Sequence, residues 1–173
     1  MKYELFMICP PWKQYRAYKR SNKLLTDSIR PKMWRAIRAF NFIECCLADL
    51  ASRHHVVLVW VTEKFTEDCR EYMNRLGYQY DTYQIWKRAK WKRGNTREVF
   101  EYLFVFQKEG YWPPKGNFPD PLASPFTGKV KHRNQKPEDA YAMIEGWYPT
   151  RAKIQIFGNC MRRGWDLFHR NDT

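Results

Sequence analysis

Apolar positions along this chain alternate between two periods. Lys2 to Ile8 is a short apolar run, "KYELFMI", and predicts a first strand. In "PKMWRAIRAFNFIECCLADLAS", Met33, Ile37, Phe40, Ile43, Leu47 and Leu50 share one helical face, and Pro31 sits near the helix start. "HHVVLVWVT", His54 to Thr62, is almost continuously apolar, the pattern of a strand covered on both faces in a mostly parallel sheet. Thr66 then offers an N-cap before Glu67 and Asp68. Cys69, Tyr72, Met73 and Leu76 form a second helical face, which Gly77 ends.

The pattern continues to the C-terminus. "YQYDTYQIWKR" and "FEYLFVFQK" predict two strands, and their short connection favours an antiparallel hairpin. Residues 110–137 are proline-rich and predict an ordered loop rather than repeating structure, of a length that favours a functional role. Pro137 opens a helix with Glu138 and Asp139 in its first turn, and Pro149 closes it. "RAKIQIFGN" is a last core strand and "GWDLFHRND" a short terminal one. Six strands with helices between them predict an α/β fold, mostly parallel, with an antiparallel hairpin at the C-edge. In such sheets ligands sit beyond the carboxyl ends of the strands. A length of 173 residues predicts one domain spanning 1–173.

No stretch approaches the roughly 20 apolar residues of a membrane helix, so no membrane partner is expected. The apolar segment before Pro10 is too short for a secretory signal, which points to a cytoplasmic protein that is not secreted. Cys9, Cys45, Cys46, Cys69 and Cys160 form no CxxC pair, so neither a zinc site nor a disulfide framework is expected. No GxGxxG or GxxxxGK[ST] loop marks a nucleotide site of the usual kind. His54 and His55 lead into a buried strand and read as structural.

Charge changes the picture most. Lys and Arg number 31 against 18 Asp and Glu, a net charge of +13, and such a field attracts polyanions. Residues 13–38 carry nine basic side chains, among them Lys13, Arg16, Lys19 and Arg20, interleaved with Tyr15, Tyr18 and Trp34. Residues 87–97 gather Lys87, Arg88, Lys90, Lys92, Arg93 and Arg97 around Trp91 in the hairpin loop, a basic finger. Basic residues supply phosphate contacts, and interleaved aromatics stack on bases, so nucleic acid is the expected partner, DNA or RNA.

The tetrapeptide Cys9-Pro10-Pro11-Trp12 closes the first strand. Two prolines remove two backbone donors and fix φ, so the chain leaves the sheet in a stiff loop expected to aim Trp12 outward. The blander reading has Pro-Pro ending the strand and Trp12 filling a neighbouring gap.

With the segments in order, the chain resembles the MT-A70 family of adenine-N6 methyltransferases, especially its short bacterial and phage-type members. The carrying segments are "CPPW", where the family has Asp-Pro-Pro-Trp, then "LADLASRHHVVLVWVT", "YMNRLGYQYDTYQIWKR", "EYLFVFQKEG", "HRNQKPEDAYAMIEGWYP", "RAKIQIFG" and "GWDLFHRND". Residues 13–46 are the least familiar part. The resemblance implies a Rossmann-like methyltransferase with permuted motif order, S-adenosylmethionine as methyl donor and an adenine of nucleic acid as acceptor. It leaves room for a homodimer, or for a heterodimer with a related methyltransferase subunit.

The resemblance also assigns roles. The tetrad's carboxylate and first proline carbonyl accept the hydrogens of the exocyclic amine, and its aromatic stacks on the base. Cys9, Pro10, Pro11 and Trp12 are therefore the candidate catalytic residues. Cys9 replaces the carboxylate with a weak acceptor, and losing a charge-assisted hydrogen bond of about 1.5 to 3 kcal/mol slows transfer roughly 10- to 100-fold. Lys136, in the segment matching His-x-x-Lys-Pro, precedes a helix N-terminus, a setting that holds a carboxylate such as the donor's. Gln155 stands where the family usually has Glu, and Asn159 where many members have Arg. Phe157 and Gly158 lie between them, and Asn171 and Asp172 match the family's closing donor-contacting pair. These seven are the candidate cofactor-binding residues. Cys9, Gln155 and Asn159 also motivate a second reading, a catalytically weakened or silent relative that binds nucleic acid alone or beside an active subunit. A covalent role for Cys9, as in cytosine-C5 methyltransferases, is disfavoured, because those enzymes have Pro-Cys rather than Cys-Pro order.

Overall fold

The computed structural model of the chain describes residues 2–13, 15, 31–87, 100–108, 125–128, 130, 135–158 and 161–168, with the side chains of the first helix described from residue 37. Among them the strands are β1 (Tyr3–Ile8), β2 (Ala51–Thr62), β3 (Gln79–Lys87), β4 (Phe100–Gln107), β5 (Phe126–Thr127), β6 (Lys153–Ile156) and β7 (Trp165–Phe168). The helices are α1 (Pro31–Leu50), α2 (Thr66–Arg75) and α3 (Glu138–Trp147). One sheet takes all seven strands in the order β5-β3-β4-β2-β1-β6-β7. Its β1, β2, β6 and β7 pair in parallel, β4 is antiparallel to both β2 and β3, and β5 runs parallel to β3. This is a mostly parallel, Rossmann-like sheet.

The strand pattern explains why both faces are buried. In β2, Val57, Val59 and Val61 point to one side, where Phe40, Ile43 and Leu47 of α1 and Cys69, Tyr72 and Met73 of α2 complete a cluster. Val56, Leu58 and Trp60 point to the other, against Ala140, Tyr141, Ile144 and Trp147 of α3. Both faces of the strand are dry, and that is why "VVLVWV" carries no alternation. Each fully buried Leu, Ile, Val or Phe contributes about 1.5 to 3 kcal/mol. Phe40 and Ile43, both fully buried, fasten α1 to the sheet.

Several expectations change. Strand β2 begins at Ala51 directly from α1, three residues before His54. Thr66 is not an N-cap: it is the first residue of α2, and its hydroxyl donates back to the Glu63 carbonyl at 3.0 Å rather than accepting from an amide. Residues 63–65 form a short 3₁₀ turn that leads into the helix, whose N-cap is Phe65 with no side-chain hydrogen bond. Within the proline-rich stretch, Phe126–Thr127 pairs with Trp86 and Lys87, a seventh strand outside the hairpin. Phe126 is drawn there because its ring meets Trp60, with centroids 6.4 Å apart. Two residues between prolines carry too little periodicity to announce a strand.

Candidate active site

Because β1 and β6 are parallel neighbours, the Cys9 amide extends their ladder by donating to the Ile156 carbonyl at 3.0 Å. The next two residues lack N–H groups, so the ladder stops and the chain turns. The Trp12 amide closes that turn on the Pro10 carbonyl at 2.9 Å, a three-residue γ-type turn. A carbonyl has two lone pairs, so the Pro10 oxygen keeps one acceptor position.

Trp12 does not aim outward. Its indole N–H donates to the Trp60 carbonyl at 2.7 Å, and the side chain is only 6% exposed. Rings of Tyr15, Phe40, Phe65 and Tyr72 surround it at centroid distances of 5.6, 5.9, 6.5 and 6.3 Å. The dispersion and area gained in this aromatic nest outweigh exposure of the ring. Trp12 thus packs as the gap-filling reading had it, anchoring the loop, and Tyr15, 2% exposed, is core rather than a stacking platform. The tetrad straddles the end of β1, with Trp12 in the core under α1 and α2 and Cys9 against the opposite cluster under α3.

On the Cys9 side the sheet presents a charged and aromatic group. The β3–β4 register sets Trp86 opposite Glu101, and the β2–β4 register sets Trp60 opposite Leu103, on the same face of the sheet. The Lys136 ammonium makes an ion pair with Glu101, their side chains 15% and 9% exposed. It also lies 4.5 Å from the Trp60 ring centroid and 5.9 Å from that of Trp86, a partly desolvated cation-π arrangement. The buried indole N–H of Trp60 has no hydrogen-bond partner among the described residues. Burial pushes the Cys9 thiol up to about 11, with Lys136 drawing it down and Glu101 adding to the rise. Cys9 is therefore a neutral thiol at physiological pH. Lys136 does hold a carboxylate, and that carboxylate is Glu101. Gly128, just after β5, lies so close to Pro137 that a Cβ would sit 2.2 Å from the proline Cβ, so only glycine lets β5 close on the segment carrying Lys136.

Beside Cys9, β6 delivers the expected donor-side residues. Gln155 is fully buried on the α3 side, and its carbonyl oxygen accepts from the Tyr141 hydroxyl at 2.9 Å. Gly158 lies over that amide: a Cβ there would come within 2.4 Å of Gln155 Oε1 and 2.9 Å of Leu167 Cδ1. Phe157 has φ +60°, a left-handed conformation that a bulky residue adopts at a cost of about 1 to 3 kcal/mol, and its amide donates to the Phe168 carbonyl at 3.1 Å. Its ring meets Phe42 of α1 at 5.5 Å. The backbone thus turns sharply after β6, and the missing Cβ lets the buried Gly158 pack directly on Gln155 and Leu167.

Of the expected residues, the structure therefore gathers Cys9, Pro10, Pro11 and Lys136 with Gln155, Phe157 and Gly158 at one end of the sheet. Lys13 and Lys87 are exposed. Arg16, Lys19, Arg20, Arg88, Lys90, Trp91, Lys92, Arg93, Asn159, Asn171 and Asp172 lie outside the described residues. Glu101, Trp60 and Trp86 were missed. The signal for Glu101 was present: it shares its parity in "FEYLFVFQ" with the buried Leu103 and Val105. A charge on the buried parity of a strand needs a partner.

The Rossmann-like sheet turns at Pro10 and Pro11 after β1 and at Phe157 and Gly158 after β6, at the strand ends where such sheets bind ligands. The MT-A70 family model matches residues 3–169, nearly the whole chain, and the protein belongs to that family, whose members use S-adenosylmethionine to methylate adenine in nucleic acid. A search of curated proteins gives no match.

Proposed function

We propose that this protein transfers a methyl group from S-adenosylmethionine to N6 of adenine in nucleic acid, with DNA favoured over RNA as the polymer. The observation that carries this reading is the convergence of Cys9, the Pro10 carbonyl, the Glu101–Lys136 pair and the sharp turn at Phe157 and Gly158 at the carboxyl end of one sheet. The donor supplies a methyl group on a sulfonium sulfur. The protein's task is to hold the poorly nucleophilic exocyclic amine in line and to accept its hydrogens. The free lone pair of the Pro10 carbonyl takes one hydrogen. Cys9 lies at the position of the second acceptor, and the Glu101 carboxylate is the anion that acts on its thiol, held by Lys136. The net charge of +13 draws in the polymer, with the basic finger and the segment after Trp12 as its phosphate contacts.

Incubation of the full chain with labelled donor and mixed DNA and RNA, followed by nucleoside analysis, tests this. Label in N6-methyladenine above a Lys136→Ala control supports the reading. No transfer, with donor binding also absent, rejects it. The neutral thiol at Cys9 favours one alternative, a weakened or silent relative that binds nucleic acid alone or beside an active subunit. Wild-type transfer at a rate matching that of Cys9→Asp would reject that alternative.

A further inference from the structure

We propose that Arg162 is a positioning residue that fastens the crossover between β6 and β7 to α3 and, through Tyr141, fixes the Gln155 amide on which Gly158 rests. The inference rests on the reading above in one respect only, that the donor lies at Phe157 and Gly158.

Glu138, Tyr141 and Glu145 are spaced three and four apart, so they share one face of α3. Arg162 meets all three. Its Nε and Nη2 donate to the two oxygens of Glu145 at 2.7 and 2.9 Å, its Nη1 donates to Glu138, and its guanidinium lies 4.8 Å from the Tyr141 ring centroid. Trp165, at the start of β7, adds its indole N–H to Glu145 Oε1 at 2.8 Å and an edge contact to Tyr141 at 5.6 Å. Tyr141 in turn donates to Gln155, and Gly158 covers Gln155. The contacts form a closed circuit that leaves the crossover at Arg162, passes through α3 and β6, and returns to the crossover at Gly158.

A single exposed ion pair is too weak to hold a strained loop. A two-pronged guanidinium–carboxylate fork with a third donor and an aromatic face is both stronger and directional. It holds Glu145 below the usual carboxylate range, with the Arg162 hydrogen bonds as the largest cause. Phe157, with its left-handed backbone, stands where such a circuit is needed.

The experiment compares full-length wild type with Arg162→Gln, Arg162→Lys, Glu145→Gln and Tyr141→Phe, by amide hydrogen exchange and by calorimetric titration with S-adenosylmethionine. In Arg162→Gln, protection of the Phe157 amide should fall by about tenfold while β1 and β2 amides keep theirs. Donor affinity should fall about fivefold or more in Arg162→Gln and Glu145→Gln. Their double mutant should bind no worse than either single, because both break one circuit. Arg162→Lys should restore little, since an ammonium cannot form the fork. Exchange at Phe157 within twofold of wild type, or an equal loss of protection across β1 and β2, would overturn the proposal. Should the wild type bind no donor, the placement of the donor at Phe157 and Gly158 falls, while the exchange result still decides the role of Arg162.

Discussion

Replacing Cys9 by Asp puts a carboxylate at the position proposed for the second acceptor. The thiol is neutral, because burial lifts it to about 11, so in the wild type it contributes only a weak sulfur acceptor. A charge-assisted hydrogen bond from the amine contributes about 1.5 to 3 kcal/mol, which converts to a 10- to 100-fold faster chemical step. Burial opposes ionisation of a carboxylate there as it does of the thiol, and the charged neighbours act beside it. Lys136 favours the anion and Glu101 opposes it, the same opposition that acts on the thiol. Together with burial they lift the thiol from its usual 9 to about 11, and a rise of that size leaves a carboxylate, ordinarily about 3.9, ionised at pH 7 to 8. Cys9→Asp should therefore raise the single-turnover rate of methyl transfer to an adenine-containing oligonucleotide by about 10- to 100-fold, with donor affinity little changed. Adding Glu101→Gln separates the contributions. If Glu101 serves as the working acceptor in the wild type, Glu101→Gln alone abolishes the residual rate and Cys9→Asp/Glu101→Gln recovers it. A folded, donor-binding Cys9→Asp variant no faster than wild type would refute the argument that the sulfur limits the chemistry.

Other outcomes follow from the same geometry. Trp12→Phe keeps an aromatic ring but removes the bond to the Trp60 carbonyl, so it should lower stability by about 1 to 3 kcal/mol in denaturant unfolding. An unchanged midpoint would mean that Trp12 is not the anchor. Alkylation of Cys9 by iodoacetamide, followed by peptide mass spectrometry, should be slow at neutral pH and accelerate up to about pH 11; fast modification at pH 7 would contradict the raised thiol. His55 is held neutral by burial, with its ring nitrogens 2.8 Å from the Ser52 carbonyl and 2.6 Å from the Tyr78 hydroxyl. Its folded pKa is lowered, so the unfolded chain binds the extra proton, and stability should fall as pH drops below about 6.5. Thermal melts of His55→Gln should show a flatter profile between about pH 5 and 7, and an unaltered profile would reject this.

The sheet was legible because its strands are dry on both sides: "VVLVWV" and "LFMI" carry no polar residue to suggest an exposed face. The helices announced themselves through Phe40, Ile43 and Leu47, and through Cys69, Tyr72 and Met73, all buried as their spacing required. The site was only half legible. Pro10 and Pro11 foretold the turn, since proline acts locally, but the direction of Trp12 depends on α1, α2 and the Trp60 carbonyl, which are distant in sequence. Glu101 pairs with Lys136 across 35 positions, and Tyr141 with Gln155 through a helix and a strand. Such pairings depend on register, which periodicity alone does not supply.

The most direct test is calorimetric titration of the wild-type chain and of Gly158→Ala with S-adenosylmethionine. A Cβ at position 158 would meet Gln155 Oε1 at 2.4 Å and displace the amide bonded to Tyr141. The wild-type chain should bind one donor saturably, and a folded Gly158→Ala should bind it at least about tenfold more weakly. Absence of binding by the folded wild type, or equal affinity in the two proteins, would contradict it.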